Sequence, residues 1–215
     1  MRAIVVRGSG KGFSAGIDLN AFFELPAAYG PDWQRHMREI TEEFQALLNS
    51  LAQVELPTIA VLHGFALGLG LELALACDLR LAAEGALLAC PKPGWASCPM
   101  SAAPRGWRRR LAWCAKELIF TGRQIDAALA ERWGLVNQVA PADQLDAALD
   151  GLLAEIMQCA PLAVGMAKRL LNGMFDTPRG LALEGWAQSQ LIATQDFGEG
   201  VQAMLQRRPA QFKGK

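Results

Sequence analysis

Between Glu55 and Leu81 the chain reads ELPTIAVLHGFALGLGLELALACDLRL, and this stretch leaves few options for the fold around it. Pro57 ends one element, and the apolar run Thr58 to Leu62 reads as a buried strand. Glycines at 64, 68 and 70 crowd the join between that strand and a helix start spanning Leu71 to Ala76. Glycine at such a join permits tight turning and the close approach of a second backbone or a ligand. Glu72 is the one carboxylate in the apolar segment that follows the turn. Burying it costs solvation free energy unless it is hydrogen-bonded, neutralised or wetted by a working cavity. It is therefore either a solvent-facing or capped helix residue or a functional group. The N–H groups of the helix start point out of the turn and can receive an acyl or phosphate oxygen.

The remainder of the chain supports an α/β layer followed by helices. Ala3 to Arg7 reads as a central strand, Asp78 to Ala82 and Ala86 to Cys90 as further strands, and the alternation with helices places ligands at the strand ends. Asp32 to Leu51 has apolar residues at Trp33, Met37, Ile40, Phe44, Leu47, Leu48 and Leu51, the spacing of an amphipathic helix with His36 on its solvent face. Asn20 to Gly30, broken by Pro26, reads as an irregular connector. The segment Pro91 to Arg110, rich in proline and small residues, reads as a folded-back surface loop. Beyond Leu111 the pattern is helical: Leu111 to Phe120, Asp126 to Trp133, Gln144 to Gln158, Pro161 to Asn172, Leu181 to Thr194 and Glu199 to Arg207, with one brief extended run at Leu135 to Val139. The division is an α/β core over residues 1–120 and a helical region over 121–215. Several of these helices have apolar faces wider than one small sheet can cover, which favours burial against a partner subunit.

Composition excludes several function classes. Lysine plus arginine and aspartate plus glutamate number 21 each, so no net field attracts nucleic acid or an anionic membrane. The one basic run, Arg105 to Arg110, has no aromatic platform beside it and reads as a solvated loop and helix start. The five cysteines, at 77, 90, 98, 114 and 159, form no CxxC pair and favour reduced, buried thiols in a cytoplasmic protein. Two histidines, His36 and His63, are too few for a histidine-based metal site, and no metal is expected. No uninterrupted apolar run reaches the roughly eighteen residues of a membrane span, and the first residues lack a signal-peptide layout. The glycine-rich GSGKGFSAG at 8–16 matches neither the dinucleotide fingerprint nor the P-loop, so Lys11 has no nucleotide role.

Five segments, in order and spacing, resemble the enoyl-CoA hydratase/isomerase, or crotonase, superfamily. They are AIVVRGSGKGFSAGIDL, ELPTIAVLHGFALGLGLELALACDLRLA, TGRQIDAALAERWGLVNQV, PLAVGMAKRLLN and EGVQAMLQRRPAQFKGK. The resemblance implies a ClpP/crotonase-like spiral of ββα units with two roughly perpendicular sheets and a C-terminal helical trimerisation region. Against that pattern the N-terminal layer is shortened, because the chain starts at the AIVV strand. A homotrimer or a hexamer of two trimers is implied. So are an acyl-CoA thioester substrate, coenzyme A entering only as part of it, no tightly bound cofactor, and a place in fatty acid metabolism.

The resemblance also assigns residues. Two backbone N–H groups, of Ile17 and Leu69, would form the oxyanion hole, and Glu72 would be the catalytic base. Ile17, Asp18, Leu19 and Asn20 would follow the coenzyme A path, a local turn or cap being the alternative for Asp18. The bulk of Ile17 and Leu69 would narrow the acyl pocket, for which Phe22, Phe23 and Trp95 are candidate lining residues, with core packing as their alternative. Lys92 stands where relatives carry a second glutamate. Its ordinary pKa of about 10.4, against about 4.3 for glutamate, and its opposite charge bar a simple substitution. Hydration by paired carboxylates is thereby disfavoured relative to isomerisation, decarboxylation or other thioester chemistry. A different class of function also stays open: a catalytically impaired acyl-CoA binder or assembly subunit of the same fold.

Overall fold

The structure, a computed structural model, describes residues 1–90, 112–159, 161–173, 189, 192–208 and 210–211. Strand β1 (Ile4–Arg7) leads through a glycine-rich loop to helix α1 (Ala21–Tyr29), a 3-10 turn (Trp33–His36) and helix α2 (Met37–Gln53). Next come β2 (Thr58–Leu62), β3 (Phe65–Leu67), α3 (Leu69–Ala76), β4 (Leu79–Ala83) and β5 (Leu87–Ala89). The later part holds α4 (Ala112–Thr121), β6 (Gln124–Asp126), α5 (Ala127–Arg132), β7 (Gln138–Ala140), α6 (Leu145–Gln158), α7 (Pro161–Gly173) and α8 (Gln195–Leu205).

Two sheets form. One has the order β1-β2-β4-β7 and is parallel throughout, with Ile4 opposite Thr58, Ile59 opposite Leu79 and Leu81 opposite Gln138. The other has the order β3-β5-β6, with β3 and β5 parallel and β6 antiparallel to β5. The chain feeds the sheets in turn: β2 then β3, β4 then β5, and β6 then β7. This is the mixed α/β arrangement with a parallel sheet that the sequence leads one to expect.

Strand β2 shows why the order holds. All five of its residues are buried, and its alternate side chains enter different cores. Ile59 and Val61 pack with Leu81, Ala83, Leu145 and Leu149 on the α6 side. Ala60 and Leu62 pack with Leu71, Ala74, Leu75 and Leu88 on the α3 side. A strand apolar on both faces can sit only inside a sheet covered on both sides.

Several expectations need correction. Asn20 to Gly30 is not an irregular connector but helix α1, which tolerates Pro26 as an exposed residue in its middle and ends at Gly30 with φ 81°. Strands β3 and β6, three residues each, carry no periodicity long enough to read, yet pairing with β5 makes them part of the second sheet. Helix α2 buries Met37, Thr41, Gln45 and Leu48, while Leu47 is 65% exposed. Thr41 belongs on the buried face because its hydroxyl donates to the Met37 carbonyl oxygen at 2.6 Å. Helix α8 begins at Gln195, earlier than Glu199, because the Thr194 hydroxyl accepts from the Phe197 N–H. Residues 181–188, within the expected helix Leu181 to Thr194, lie outside the described residues. The wide apolar faces are present: Leu162, Met166 and Leu171 of α7 are each more than half exposed within the chain.

The thiols divide. Cys77 and Cys90 are buried, but Cys114 is only partly covered and Cys159 is exposed, so burial does not extend to all of them; Cys98 lies outside the described residues. Burial pushes the Cys77 thiol up to about 11, against the lowering effect of Arg80. It is neutral at physiological pH and a poor nucleophile. Maleimide labelling at pH 8, mapped by mass spectrometry, should modify Cys159 in the native protein and Cys77 and Cys90 only on unfolding. Labelling of Cys77 as fast as Cys159 would contradict the packing.

One ionic network ties the helical region to the sheet. Lys168 of α7, 8% exposed, places its Nζ 2.8 Å from Asp78 Oδ2 and donates to the carbonyls of Leu56 (3.0 Å) and Leu51 (3.3 Å). The same Asp78 oxygen accepts from the Thr58 N–H (2.8 Å) and hydroxyl (2.9 Å). Replacing Lys168 with Met keeps the apolar stem and leaves Asp78 and two carbonyls without their cation. Thermal and urea unfolding should then show a loss of about 2–4 kcal/mol, with retention of wild-type stability excluding a structural role for the network.

Candidate active site

The site is built where the loop after β1 meets the join between β3 and α3. Phe13 and Ser14 extend along β3: the Ser14 N–H donates to the Phe65 carbonyl at 3.2 Å, and the Leu67 N–H donates to the Ser14 carbonyl at 2.9 Å. This pairing fixes how the next three residues leave the sheet. Gly16 turns with φ 96°, a left-handed conformation that suits glycine. A Cβ on Gly16 would lie 2.8 Å from the Leu67 carbonyl oxygen and 3.2 Å from the Leu69 nitrogen. Two backbones therefore approach as closely as the absence of a side chain allows.

The second half of the contact needs another glycine. A Cβ on Gly70 would lie 2.6 Å from Ser14 Cβ and 2.7 Å from its Oγ. Ser14 Oγ itself accepts from the Gly16 N–H at 3.1 Å. Gly68, with φ 54° and ψ −122°, reverses the chain into α3, and its N–H donates to the Ala89 carbonyl of β5.

Helix α3 then presents its first N–H groups, which by position have no acceptor within the helix. Glu72 lies one turn in, its N–H donating to the Gly68 carbonyl at 3.1 Å, and its side chain is fully buried at 0% exposure. The solvent-facing alternative for Glu72 is thus excluded. At the other end of the helix the Arg80 guanidinium donates to the Cys77 carbonyl (2.7 Å), the Ala74 carbonyl (3.4 Å) and the Leu135 carbonyl (2.6 Å). A cation on these carbonyls complements the negative end of the helix and fixes its axis.

The structure brings Ile17, Leu69 and Glu72 into one neighbourhood: Ile17 follows the glycine packed on Leu69, and Glu72 is on the helix that Leu69 begins. Leu69 packs its side chain with Leu48, Leu51, Leu73 and Ala76 on the α2 side, so its bulk is spent in that apolar cluster. Asp18 forms a local turn, its Oδ1 accepting from the Asn20 N–H (2.9 Å) and side-chain amide (3.1 Å) ahead of α1. Leu19 and Asn20 complete that turn, their carbonyls accepting from Phe22 and Phe23.

Phe22 does not stand apart as a pocket wall; its ring packs edge-on to Phe197 of α8, with centroids 5.3 Å apart, in a cluster with Met37, Ile192 and Val201. Phe23 is 62% exposed. Lys92 and Trp95 lie outside the described residues. No group of three or more His, Cys, Asp or Glu side chains is placed to hold a metal ion among the described residues. Sequence reasoning passed over Ser14 and Arg80. The signal for Ser14 was its position two residues before a glycine in FSAG, a spacing at which a hydroxyl reaches the i+2 N–H.

The two glycines give a direct test. Alanine in place of a helical glycine ordinarily stabilises by about 1 kcal/mol, and Gly151 in the middle of α6 has open space around it. Gly151→Ala should therefore raise the unfolding midpoint, whereas Gly70→Ala should lower it by forcing Ser14 away. Parallel thermal melts compare them, and a stabilising Gly70→Ala would refute the tight contact.

Comparison with known proteins finds relatives over the whole chain. The enoyl-CoA hydratase/isomerase family model matches residues 1–215. A Bacillus subtilis protein that bears an enoyl-CoA hydratase/isomerase name is 40% identical over 219 residues, covering 100% of this chain and 81% of that one. The rat mitochondrial methylglutaconyl-CoA hydratase is 36% identical over 225 residues, covering 100% of this chain and 69% of its own length. The crystal structure of an enoyl-CoA hydratase from Mycobacterium avium subsp. paratuberculosis superimposes with a TM-score of 0.82 at 28% identity, covering 99% of this chain and 80% of that one.

Proposed function

This chain belongs to the enoyl-CoA hydratase/isomerase family, and we propose that it acts on an acyl-CoA thioester by stabilising an enolate. The observation that carries this reading is the buried Glu72 one helical turn from Leu69, on a helix whose start is packed against Gly16.

The chemistry follows from charge. Glu72 removes the proton next to the thioester carbonyl, and the electron pair of the broken C–H bond moves onto the thioester oxygen. The Ile17 and Leu69 N–H groups donate to that oxygen. Backbone donors already held in place cost no reorganisation as the charge develops, and in a site that excludes water their effect is large. Return of the proton to the γ carbon of a 3-enoyl thioester shifts the double bond into conjugation. One carboxylate suffices for this isomerisation, whereas hydration of a trans-2-enoyl thioester also needs a proton donor for Cα as water adds at Cβ. With Lys92 at the position of the second glutamate, the residues favour isomerisation or a related enolate reaction over hydration. Coenzyme A takes part as the carrier half of the substrate.

The test uses purified protein with a 3-enoyl-CoA and with crotonyl-CoA. Turnover of the 3-enoyl thioester should exceed hydration, and Glu72→Gln should reduce it by about 10²–10⁴-fold with little change in KM. Full activity in Glu72→Gln would remove Glu72 from the mechanism. Tight acyl-CoA binding without turnover of either thioester would instead favour the second reading, an acyl-CoA binder of the same fold, which the lysine at position 92 also motivates.

A further inference from the structure

Ser14 borders both segments that supply the donors of the enolate reading, and that reading assigns it nothing. Its carbonyl takes the Leu67 N–H at 2.9 Å, and its N–H reaches the Phe65 carbonyl at 3.2 Å, so its main chain is an added rung on β3. Its side-chain oxygen takes the Gly16 N–H at 3.1 Å. Its Cβ and Oγ fill the space that a side chain on Gly70 would need. One residue is thus joined to the strand before α3, to the first turn of α3, and to the turn that delivers Ile17.

These contacts divide into two kinds. The main-chain rung would persist with any side chain at position 14. The hydroxyl contact would not, and it is the one that acts on the left-handed turn at Gly16. An N–H at that turn left to water can rotate with its peptide plane, and the Ile17 N–H, in the next plane across Gly16 φ and ψ, would follow. A donor misplaced by about 1 Å loses on the order of 10²-fold in rate while a substrate bound mainly by remote contacts is held almost as well.

Resting on the enolate reading, we propose that Ser14 is a positioning residue: its hydroxyl holds the Gly16 turn so that the Ile17 and Leu69 N–H groups converge on one oxygen. It touches no substrate atom. Its effect is largest in the state in which charge has moved onto the thioester oxygen; the uncharged carbonyl is polarised by the same donors, but its binding affinity depends little on Ser14.

The experiment compares wild type, Ser14→Ala and Glu72→Gln by calorimetric titration with two probes. Propionyl-CoA has the uncharged carbonyl, and 2-nitronate-propionyl-CoA carries the charge of an enolate. Wild type should bind the nitronate more tightly. Ser14→Ala should lose about 10- to 100-fold of affinity for the nitronate and keep that for propionyl-CoA within about twofold. Infrared spectra of bound propionyl-CoA supply a readout that partial unfolding does not move, because only bound ligand contributes the shifted band. The thioester carbonyl band should shift to lower frequency in wild type and in Glu72→Gln, and shift less in Ser14→Ala. Wild-type preference for the nitronate with the same preference and the same band shift in Ser14→Ala overturns the role of Ser14 and leaves the enolate reading standing. Equal loss of affinity for both probes in Ser14→Ala, with an unaltered band shift, also overturns it, since that is the behaviour of a residue needed only for folding. A wild type that shows no preference for the nitronate overturns the enolate reading itself, and the role of Ser14 with it.

Discussion

The close approach of the Gly16 turn to Leu67–Leu69 is the contact on which the rest of the site depends. It exists because two positions lack a side chain and a third, Ser14, has one small enough to fill the remaining space and polar enough to take an N–H. Neither segment would hold this geometry alone. The loop after β1 needs β3 as a template, and the start of α3 needs the loop as a wall. A donor pair drawn from two segments distant in sequence is only as well aligned as the sheet beneath it, and here both segments are pinned within one residue of a strand.

Helix α3 is restrained at both ends by different physics. Its start is fixed by steric contact between backbones, and its end by the Arg80 guanidinium on the Ala74 and Cys77 carbonyls, which the same side chain links to the Leu135 carbonyl. Between them Glu72 is held away from bulk water. The Asp78–Lys168–Thr58 network lies just beyond, so the lead-in to β4 is tied at once to β2 and to α7. The helical region is thus tied to the strands that carry the site.

Much of this was legible in the sequence, for reasons that particular residues make plain. Thr58 to Leu62 could be recognised because a β-branched residue followed by four apolar ones in a row suits the inside of a sheet, and Glu72 stood out as a carboxylate among leucines and alanines. The glycines at 68 and 70 marked the join. What stayed hidden is what depends on partners far along the chain. Strands of three residues such as Phe65–Leu67 and Gln124–Asp126 have no pattern of their own and exist by pairing with Leu87–Ala89. Pro26 argued against a helix that tertiary packing through Phe22 nonetheless supports. Thr41 and Gln45, polar by type, are buried on the face of α2 where an apolar pattern alone would place leucines. Phe22 offered itself equally to an acyl pocket or to packing, and only the position of Phe197 distinguishes them.

The parallel sheet also governs how this molecule comes into being. Every rung of β1 against β2, and of β4 against β7, joins residues more than fifty positions apart. Parallel pairing of this kind rewards the chain only after a long loop has been closed, so the entropic cost precedes the gain. On a ribosome delivering the chain from its N-terminus, the β1–β2 rungs must wait until β2 has emerged, and the β4–β7 rungs until Gln138–Ala140 arrives. For that interval the apolar residues of β2 and β4 lack the neighbours that cover them in the folded sheet, and the docking of β7 covers the last open edge of β4.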